Sequence, residues 1–220
     1  MPAPSTRYDL QLHDSATQVD AAAWDALLAA QAQPTPFMRH AYLAALEASG
    51  SASARTGWAP RFFTLWQGGT LHAACALYAK AHSYGEYVFD WAWADAYERH
   101  GLPYYPKGVV AVPFTPVPGT RLLARDAGAR AALLQALLHW AGEAGLSSLH
   151  LLFADEDDLA AARTAGLMLR QQVQFHWHNR RPGDGDTFAD FDDFLASLSQ
   201  DKRKKIRQER RRVQEAGVGF

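Results

Sequence analysis

The sequence has little cysteine and no long apolar segment, and each shortage excludes a class of protein. One cysteine, Cys75, stands among 220 residues, which excludes an intramolecular disulfide and a multi-cysteine zinc site. No apolar run approaches the roughly 20 residues that a membrane-spanning helix needs. The first seven residues lack the charged-then-apolar order of a signal peptide. A cytoplasmic protein without a membrane span is therefore expected.

The composition predicts a packed core rather than a disordered chain. Hydrophobic residues make up 48% of the sequence, and seven Trp, eight Tyr and 11 Phe supply bulky side chains. This content excludes disordered, collagen-like and coiled-coil chains, and it suffices for one large core or two small ones. Cys75 lies in an apolar run with no cation beside it, so the sequence predicts a buried thiol rather than a nucleophile.

The net charge of −1 hides an uneven distribution. Residues 201–220 contain eight Lys or Arg against three Asp or Glu, a net charge of +5. The other 200 residues contain 14 Lys or Arg against 20 Asp or Glu, a net charge of −6. A basic segment at the end of an acidic chain indicates an anionic partner.

Hydrophobic periodicity predicts an α/β chain. Two apolar runs flank Gly68 and Gly69, and two glycines suit the primed turn of a β-hairpin. A leucine-rich helix is predicted over 129–144. The other predicted helices are 20–31, 37–48, 155–165, 188–198 and 201–216, and the predicted strands are 7–13, 61–66, 71–78, 109–114 (with 122–124 extending or following it), 149–153 and 172–178.

This order of elements is that of acyltransferases of the GNAT superfamily. In that fold, the turn after the fourth strand holds the pyrophosphate of acyl-CoA on backbone N–H groups at a helix N-terminus. Residues 125–130 stand at this turn and resemble the superfamily signature Arg/Gln-x-x-Gly-x-Gly/Ala. The resemblance implies donor binding by Arg125, Gly128, Ala129 and Arg130. The alternative is an ordinary strand-to-helix turn.

A polar and aromatic segment over 80–93 suggests acid–base chemistry. If this segment is extended, its side chains alternate between two faces. A row of carboxylates, imidazole, phenol and ammonium would suit proton transfer between an amine and an acyl carbonyl. The alternative is a solvated strand face, and Gly85 could break the strand. One face would carry Lys80, His82, Tyr84, Glu86 and Asp90, and the other would carry Tyr87, Phe89 and Trp91.

Two further patterns concern ligands. His176 and His178 lie on one face of a predicted strand, but the sequence offers no third metal ligand, so a hydrogen-bonded pair is favoured. In the basic helix, at about 100° per residue, Arg203, Arg207 and Arg210 form a cationic arc beside a narrow apolar seam. Such an arc suits the phosphates of tRNA, CoA or a lipid-linked precursor, and the alternative is a solvated helix face.

Several segments together resemble the FemAB-like family of bacteria, which is labelled peptidoglycan biosynthesis/recognition and belongs to the GNAT superfamily. The resemblance implies two tandem GNAT-like domains, with a mixed central sheet flanked by helices in the first. Residues 1–180 would form the first domain. Residues 181–220 would hold a linker and the opening helices of a second domain, cut shortly after a strand begins at 218–220. The segments that carry the resemblance are 82–97, 104–107, 112–119, 174–179, 191–195 and 202–211.

The predicted activity is N-acyl transfer from acyl-CoA or aminoacyl-tRNA to an amine, without a metal. Better-studied relatives transfer an amino acid from aminoacyl-tRNA to the peptide stem of a cell-wall precursor. Here Glu86 or His82 would accept the amine proton, Tyr84 or Tyr105 would protonate the leaving group, and Asp90 would assist. The alternative is a non-catalytic module that recognises a cell-wall peptide or RNA, and the oligomeric state is open. Substrate contacts are predicted for Lys80, Trp91, Trp93, Tyr104 and Lys107.

Overall fold

A computed structural model describes residues 7–181, 183 and 185–218, and the chain divides into two compact units, 1–169 and 170–220. The described strands are β1 (Asp9–His13), β2 (Trp58–Gln67), β3 (Thr70–Lys80), β4 (Lys107–Val110), β5 (Leu123–Ala124) and β6 (Leu149–Leu151). The described α-helices are α1 (Ala21–Ala29), α2 (His40–Ala48), α3 (Trp91–Arg99), α4 (Ala127–Glu143), α5 (Glu156–Thr164), α6 (Phe191–Ala196) and α7 (Gln200–Glu215).

The first unit contains the mixed central sheet that the sequence predicts. Its strand order is β1-β2-β3-β4-β6, and β5 also pairs with β3. Neighbouring strands are antiparallel except β4 and β6, which are parallel. The β2–β3 hairpin turns on Gly68 and Gly69, whose φ values of 55° and 76° are the left-handed values that the sequence predicts for this turn.

Helices cover both faces of the sheet, because successive residues of a strand point to opposite faces. On β2, Phe62 packs in a cluster with Trp24 of α1, whereas its neighbour Phe63 packs in a second cluster with Leu133 of α4. Cys75 of β3 is completely buried in the second cluster, which confirms the predicted inert thiol. Burial raises the pKa of this thiol.

The strand predicted over 109–114 ends early, because the chain leaves the sheet between β4 and β5. Residue 77 of β3 pairs with residue 110, and residue 74 pairs with residue 123, so residues 111–122 bulge away from the sheet. Three prolines in this excursion lack the N–H that a ladder needs. The buried Arg121 guanidinium holds the excursion by donating to the carbonyls of Leu152 (3.0 Å) and Gly119 (3.3 Å).

Two other expectations about strands are wrong. The extended conformation assumed for 80–93 does not form, since β3 ends at residue 80 and α3 begins at residue 91, which agrees with the alternative that the strand is broken before Gly85. The strand predicted over 172–178 does not form either: its main chain pairs with no strand in the described ranges, and Phe175 is 99% exposed. A strand needs a partner for its backbone groups, and periodicity alone cannot supply one. The strand start predicted at 218–220 falls mostly on residues 219–220, outside the described residues.

The second unit contains α6 and α7, and its described residues before α6 form neither helix nor strand. α6 and α7 contact each other through Arg210, whose guanidinium lies 4.4 Å from the centre of the Phe191 ring. Arg203 donates to the carbonyl of Ala196 at 3.1 Å. Assignment of this unit to a second GNAT-like domain stays a prediction. Across the described ranges, no helix is both long and apolar enough to cross a membrane.

Candidate active site

Two lysines meet where β3 ends and β4 begins. Lys80 and Lys107 are partners in the antiparallel register of these strands, and both are fully buried. Buried ammonium groups are costly unless they are paired or lose their charge. The segment that follows β3 supplies the pairing.

Residues 81–90 fold back over the strand ends because two of them adopt left-handed backbone conformations. Gly85 has φ 80° and Tyr87 has φ 58°. A Cβ on Gly85 would lie 2.6 Å from the Phe114 ring, so only glycine fits there. The amide of Phe114 donates to the carbonyl of Gly85 at 3.1 Å and joins the segment to the excursion after β4.

The fold-back forms an acid–lysine cluster, which comprises Ser83, Glu86, Asp90, Tyr105 and Lys107. Lys107 Nζ donates to Glu86 Oε2 at 2.8 Å, to Ser83 Oγ at 2.8 Å and to Asp90 Oδ2. Ser83 Oγ also lies 2.8 Å from the Tyr105 hydroxyl. The cluster thus joins two carboxylates, one ammonium and two hydroxyls in a continuous hydrogen-bond network.

The two carboxylates differ in their electrostatics. Burial raises the pKa of Glu86, and the hydrogen bond and charge of Lys107 offset this only in part. Burial also acts to raise the pKa of Asp90, but hydrogen bonds from Lys107, Tyr104 and Ser83 outweigh it and lower the pKa. Glu86 Oε1 is buried without a hydrogen-bond partner among the described residues. Asp90 Oδ1 is buried without a partner as well, so the two carboxylates differ in their pKa, and Glu86 has the higher proton affinity.

Several aromatic residues that neighbour the cluster residues along the chain have exposed side chains. Tyr84 is 67% exposed, and its ring centre lies 5.9 Å from that of Trp91. Large exposed apolar patches mark interaction sites more often than scattered exposed residues do. We call these residues the aromatic surface: Tyr84, Tyr87, Phe89, Trp91 and Trp93.

Lys80 links the cluster to the aromatic surface. Its Nζ donates to the carbonyl of Tyr84 at 3.1 Å and lies 3.4 Å from the centre of a Trp58 ring. Burial lowers the pKa of Lys80 from 10.5 to about 7, although the charge of Glu86 opposes this shift. Lys80 is therefore a poorly hydrated amine close to its titration point at neutral pH.

The shifted pKa of Lys80 predicts a pH-dependent stability. Between pH 7 and 10.5 the unfolded chain binds a proton at Lys80 that the folded protein has lost, so the free energy of unfolding rises with pH. Lys80→Met should flatten this rise relative to the wild type in urea denaturation at pH 7 to 9.5. Lys205→Met, at an exposed position of α7, is the matched control and should keep the wild-type slope. Equal slopes for wild type and Lys80→Met would refute the shift.

The structure brings together some predicted site residues and separates others. Glu86, Asp90 and Tyr105 lie in the cluster, whereas the ring of His82 lies against Gly57 and Tyr84. Tyr104 is buried and donates to Asp90 Oδ2 at 2.8 Å, and its pKa is raised by burial first and by this hydrogen bond second. The substrate roles predicted for Lys80, Tyr104, Lys107, Trp91 and Trp93 stay predictions.

Sequence reasoning missed Ser83 and a second buried ionic network. Ser83 lay on the wrong face of an assumed strand, although a serine between His and Tyr in a polar segment was a usable signal. In the second network, Asp158 accepts the main-chain N–H of Arg121 at 2.6 Å and that of Leu122. Burial raises the pKa of Asp158 to about 7. This network anchors the excursion after β4 to α5.

The charged side chains of the turn predicted to hold donor phosphates contact other residues of this chain. Arg125 Nε donates to the carbonyl of Leu71 at 2.7 Å. Arg130 is buried and pairs with Asp158 at 3.2 Å. The N-terminus of α4 is capped by Asp126 Oδ1, which accepts the N–H of Ala129 at 2.8 Å. The donor roles of Arg125, Gly128, Ala129 and Arg130 stay predictions.

The cationic arc of α7 is only partly open to solvent. Arg203 is half-buried, whereas Arg207 and Arg210 are exposed, and Arg210 also lies over the ring of Phe191. Their phosphate-binding role stays a prediction. Among the described residues, no group of three or more His, Cys, Asp or Glu could hold a metal ion.

Comparison with known proteins gives matches to solved structures and to a family model. No curated protein matches the sequence. Among solved structures, a ribosomal-protein-alanine N-acetyltransferase from Brucella melitensis biovar Abortus 2308 shares 17% identity over 78% of this chain and 99% of that chain, with a TM-score of 0.46. The aminoglycoside 6′-N-acetyltransferase AAC(6′)-IG of Acinetobacter haemolyticus shares 10% identity over 79% and 98%, with a TM-score of 0.40.

A family model gives the longest match to the sequence itself. It spans residues 15–220, which includes every segment on which the resemblance rests. The match also includes the acid–lysine cluster and the aromatic surface. This chain therefore belongs to the FemAB-like family, described as peptidoglycan biosynthesis/recognition.

Proposed function

We propose that this chain carries the first domain of an N-acyltransferase, which moves an acyl or aminoacyl group from a CoA thioester or aminoacyl-tRNA to an amine. The acceptor class that suits the family is an amine of a peptidoglycan precursor. The observation that carries the proposal is the buried Glu86 carboxylate, whose Oε1 lacks a partner among the described residues while Lys107 holds its other oxygen.

The proposed reaction needs a base for the amine and an acid for the leaving group. The amine nitrogen attacks the acyl carbonyl carbon and forms a C–N bond, while the C–S bond of a thioester or the C–O bond of an ester breaks. Glu86 Oε1 accepts the proton that the amine loses. Tyr105 donates its hydroxyl proton to the departing sulfur or oxygen, and its hydrogen bond to Ser83 supports that role.

The arrangement favours Glu86 and Tyr105 over His82 and Tyr84. Both belong to one hydrogen-bond network through Ser83 and Lys107. His82 Nδ1 instead accepts the N–H of Tyr84 at 3.2 Å, so this nitrogen is already occupied. A general base is more effective when neighbouring groups hold it in one orientation.

Burial favours a second candidate function, recognition without catalysis. Glu86 is 3% exposed and Lys107 is fully buried, so the cluster also meets the description of a structural ion network. In that case the aromatic surface alone would bind the cell-wall peptide. The two functions differ in whether a covalent product forms.

A transfer assay decides between the two functions. The chain is incubated with acetyl-CoA, or with aminoacyl-tRNA, and a panel of amines that includes a peptidoglycan stem peptide, and products are identified by mass spectrometry. Catalysis predicts an N-acylated product and stoichiometric release of the free thiol or deacylated tRNA. Saturable binding of the stem peptide with no product from either donor would favour recognition.

A further inference from the structure

A polar cavity lies in the first unit, away from the acid–lysine cluster. It has a volume of about 440 Å³ and lies beside the beginning of β3 and of α4. His72 and Lys80 are eight residues apart on β3, about 27 Å at 3.4 Å per residue. The cavity is therefore separate from the proposed catalytic groups. Its lining residues are Tyr8, Gln67, His72, Asp126, Gly128 and Ala132.

The charge of this cavity is negative. Asp126 is the charged residue in its lining, and Oδ1 of Asp126 caps α4 through the N–H of Ala129. Its Oδ2 has no hydrogen-bond or ion-pair partner in the part of the chain that the structure describes. Of the two nearby cations, Arg130 pairs with Asp158 and Asp157, at 3.2 and 3.5 Å, and Arg125 Nε donates to the carbonyl of Leu71 at 2.7 Å. A phosphate here would face a carboxylate instead of a free helix N-terminus.

The other lining groups suit an ammonium ion. The rings of Tyr8 and His72 lie 5.5 Å apart and form an aromatic wall. The His72 side chain lines the cavity as part of this wall, whereas its Nδ1 is buried and faces away from solvent. Burial and the charge of Asp126 both raise the pKa of Tyr8, so its hydroxyl stays neutral. An aromatic face beside a carboxylate is a common arrangement for binding organic cations.

We propose that this cavity binds a primary ammonium group, with Asp126 as its counter-ion and the rings of Tyr8 and His72 as its further contacts. The ammonium can belong to a small amine or to the side chain of a peptide. This site goes beyond the proposed acyl transfer, since neither Glu86 nor Tyr105 takes part in it. It also places a cation where the sequence predicts the phosphates of the donor.

Binding is tested by NMR titration of the whole chain at 150 mM salt, with 1,4-diaminobutane, a lysine-containing tripeptide and ADP as separate probes. We expect an amine probe to shift the amide signals of Gly128 and Ala129 saturably. ADP should leave them in place. The diamine and tripeptide arms distinguish a small amine from a peptide as the source of the ammonium.

Asp126→Asn separates charge from capping, because asparagine is an equally good N-cap. We expect this variant to bind the amine at least tenfold more weakly. Asp20→Asn is the matched control, since Asp20 caps α1 in the same way, through the N–H of Ala23 at 2.9 Å, and should bind as the wild type does. Tyr8→Leu removes one ring of the aromatic wall, and should also weaken binding if Asp126→Asn does not fold.

Three results would overturn the cation site: no saturable shift with either amine, equal affinity in Asp126→Asn, or ADP binding at Gly128 and Ala129. The last result would instead support the donor-phosphate prediction for this turn. Glu86→Gln should bind the amine as the wild type does. The outcome is therefore independent of whether acyl transfer takes place.

Discussion

Replacing Glu86 by Gln is expected to lower the rate of acyl transfer by about 10²- to 10⁴-fold, the usual contribution of a general base. Glutamine keeps the size of the side chain and an oxygen that accepts from Lys107, but it cannot take a proton from the amine. The measurement is the steady-state rate of thiol or tRNA release with the substrate pair that the transfer assay identifies. Its matched control is Glu98→Gln on the exposed face of α3, which should keep the wild-type rate.

The pH profile gives the Glu86 prediction a second readout. Only the ionised carboxylate accepts a proton, so kcat/KM of the wild type should fall as pH decreases through the pKa of Glu86. Burial raises that pKa, so the fall should begin above the ordinary value of about 4.3. This acid limb should disappear in Glu86→Gln. Wild-type rates in the variant would remove Glu86 from the mechanism.

Replacing Lys107 by Met is expected to lower the free energy of unfolding by about 3–5 kcal/mol near neutral pH, the range for a broken buried ion pair. The substitution leaves Glu86 and Asp90 buried without their shared cation. Urea denaturation monitored by tryptophan fluorescence measures the loss. Lys205→Met provides the control, because this exposed side chain lies 4.0 Å from Glu209 and contributes little.

The penalty at Lys107 should depend on pH in a defined direction. Without the ammonium, the pKa values of both carboxylates rise, so folding favours their protonated forms. The stability difference between wild type and Lys107→Met should therefore shrink as pH falls. Adding Glu86→Gln and Asp90→Asn should recover part of the loss at neutral pH. A loss below about 1 kcal/mol with no pH dependence would contradict an ionised network.

Local sequence patterns predicted much of the fold. The paired glycines at 68–69 placed the hairpin, and leucine spacing placed α4 to within two residues at its N-terminal end. These elements depend on contacts between neighbours in sequence, and such contacts can be inferred from spacing. The strand at 172–178 shows the limit, because its formation depends on a partner elsewhere.

The sequence indicated which types of residue belong to the candidate site, but it did not predict how they are arranged. The sequence alone indicated Glu86, Asp90 and Tyr105 as acid–base candidates and Lys107 as a substrate contact. The side chains of the segment 80–93 do not alternate between two faces, because Gly85 and Tyr87 have left-handed backbone conformations that interrupt a strand.

What the sequence determined by itself is the α/β class, the family to which the chain belongs and the buried thiol, and it also indicated most residues of the acid–lysine cluster. Only the tertiary structure decided which charges meet. It paired Lys107 with two carboxylates 17 and 21 residues before it, and it turned Arg130 away from the predicted phosphate turn towards Asp158. Such pairings depend on the register of distant strands and on the cost of burying an unpaired charge, and both arise only when the chain has folded.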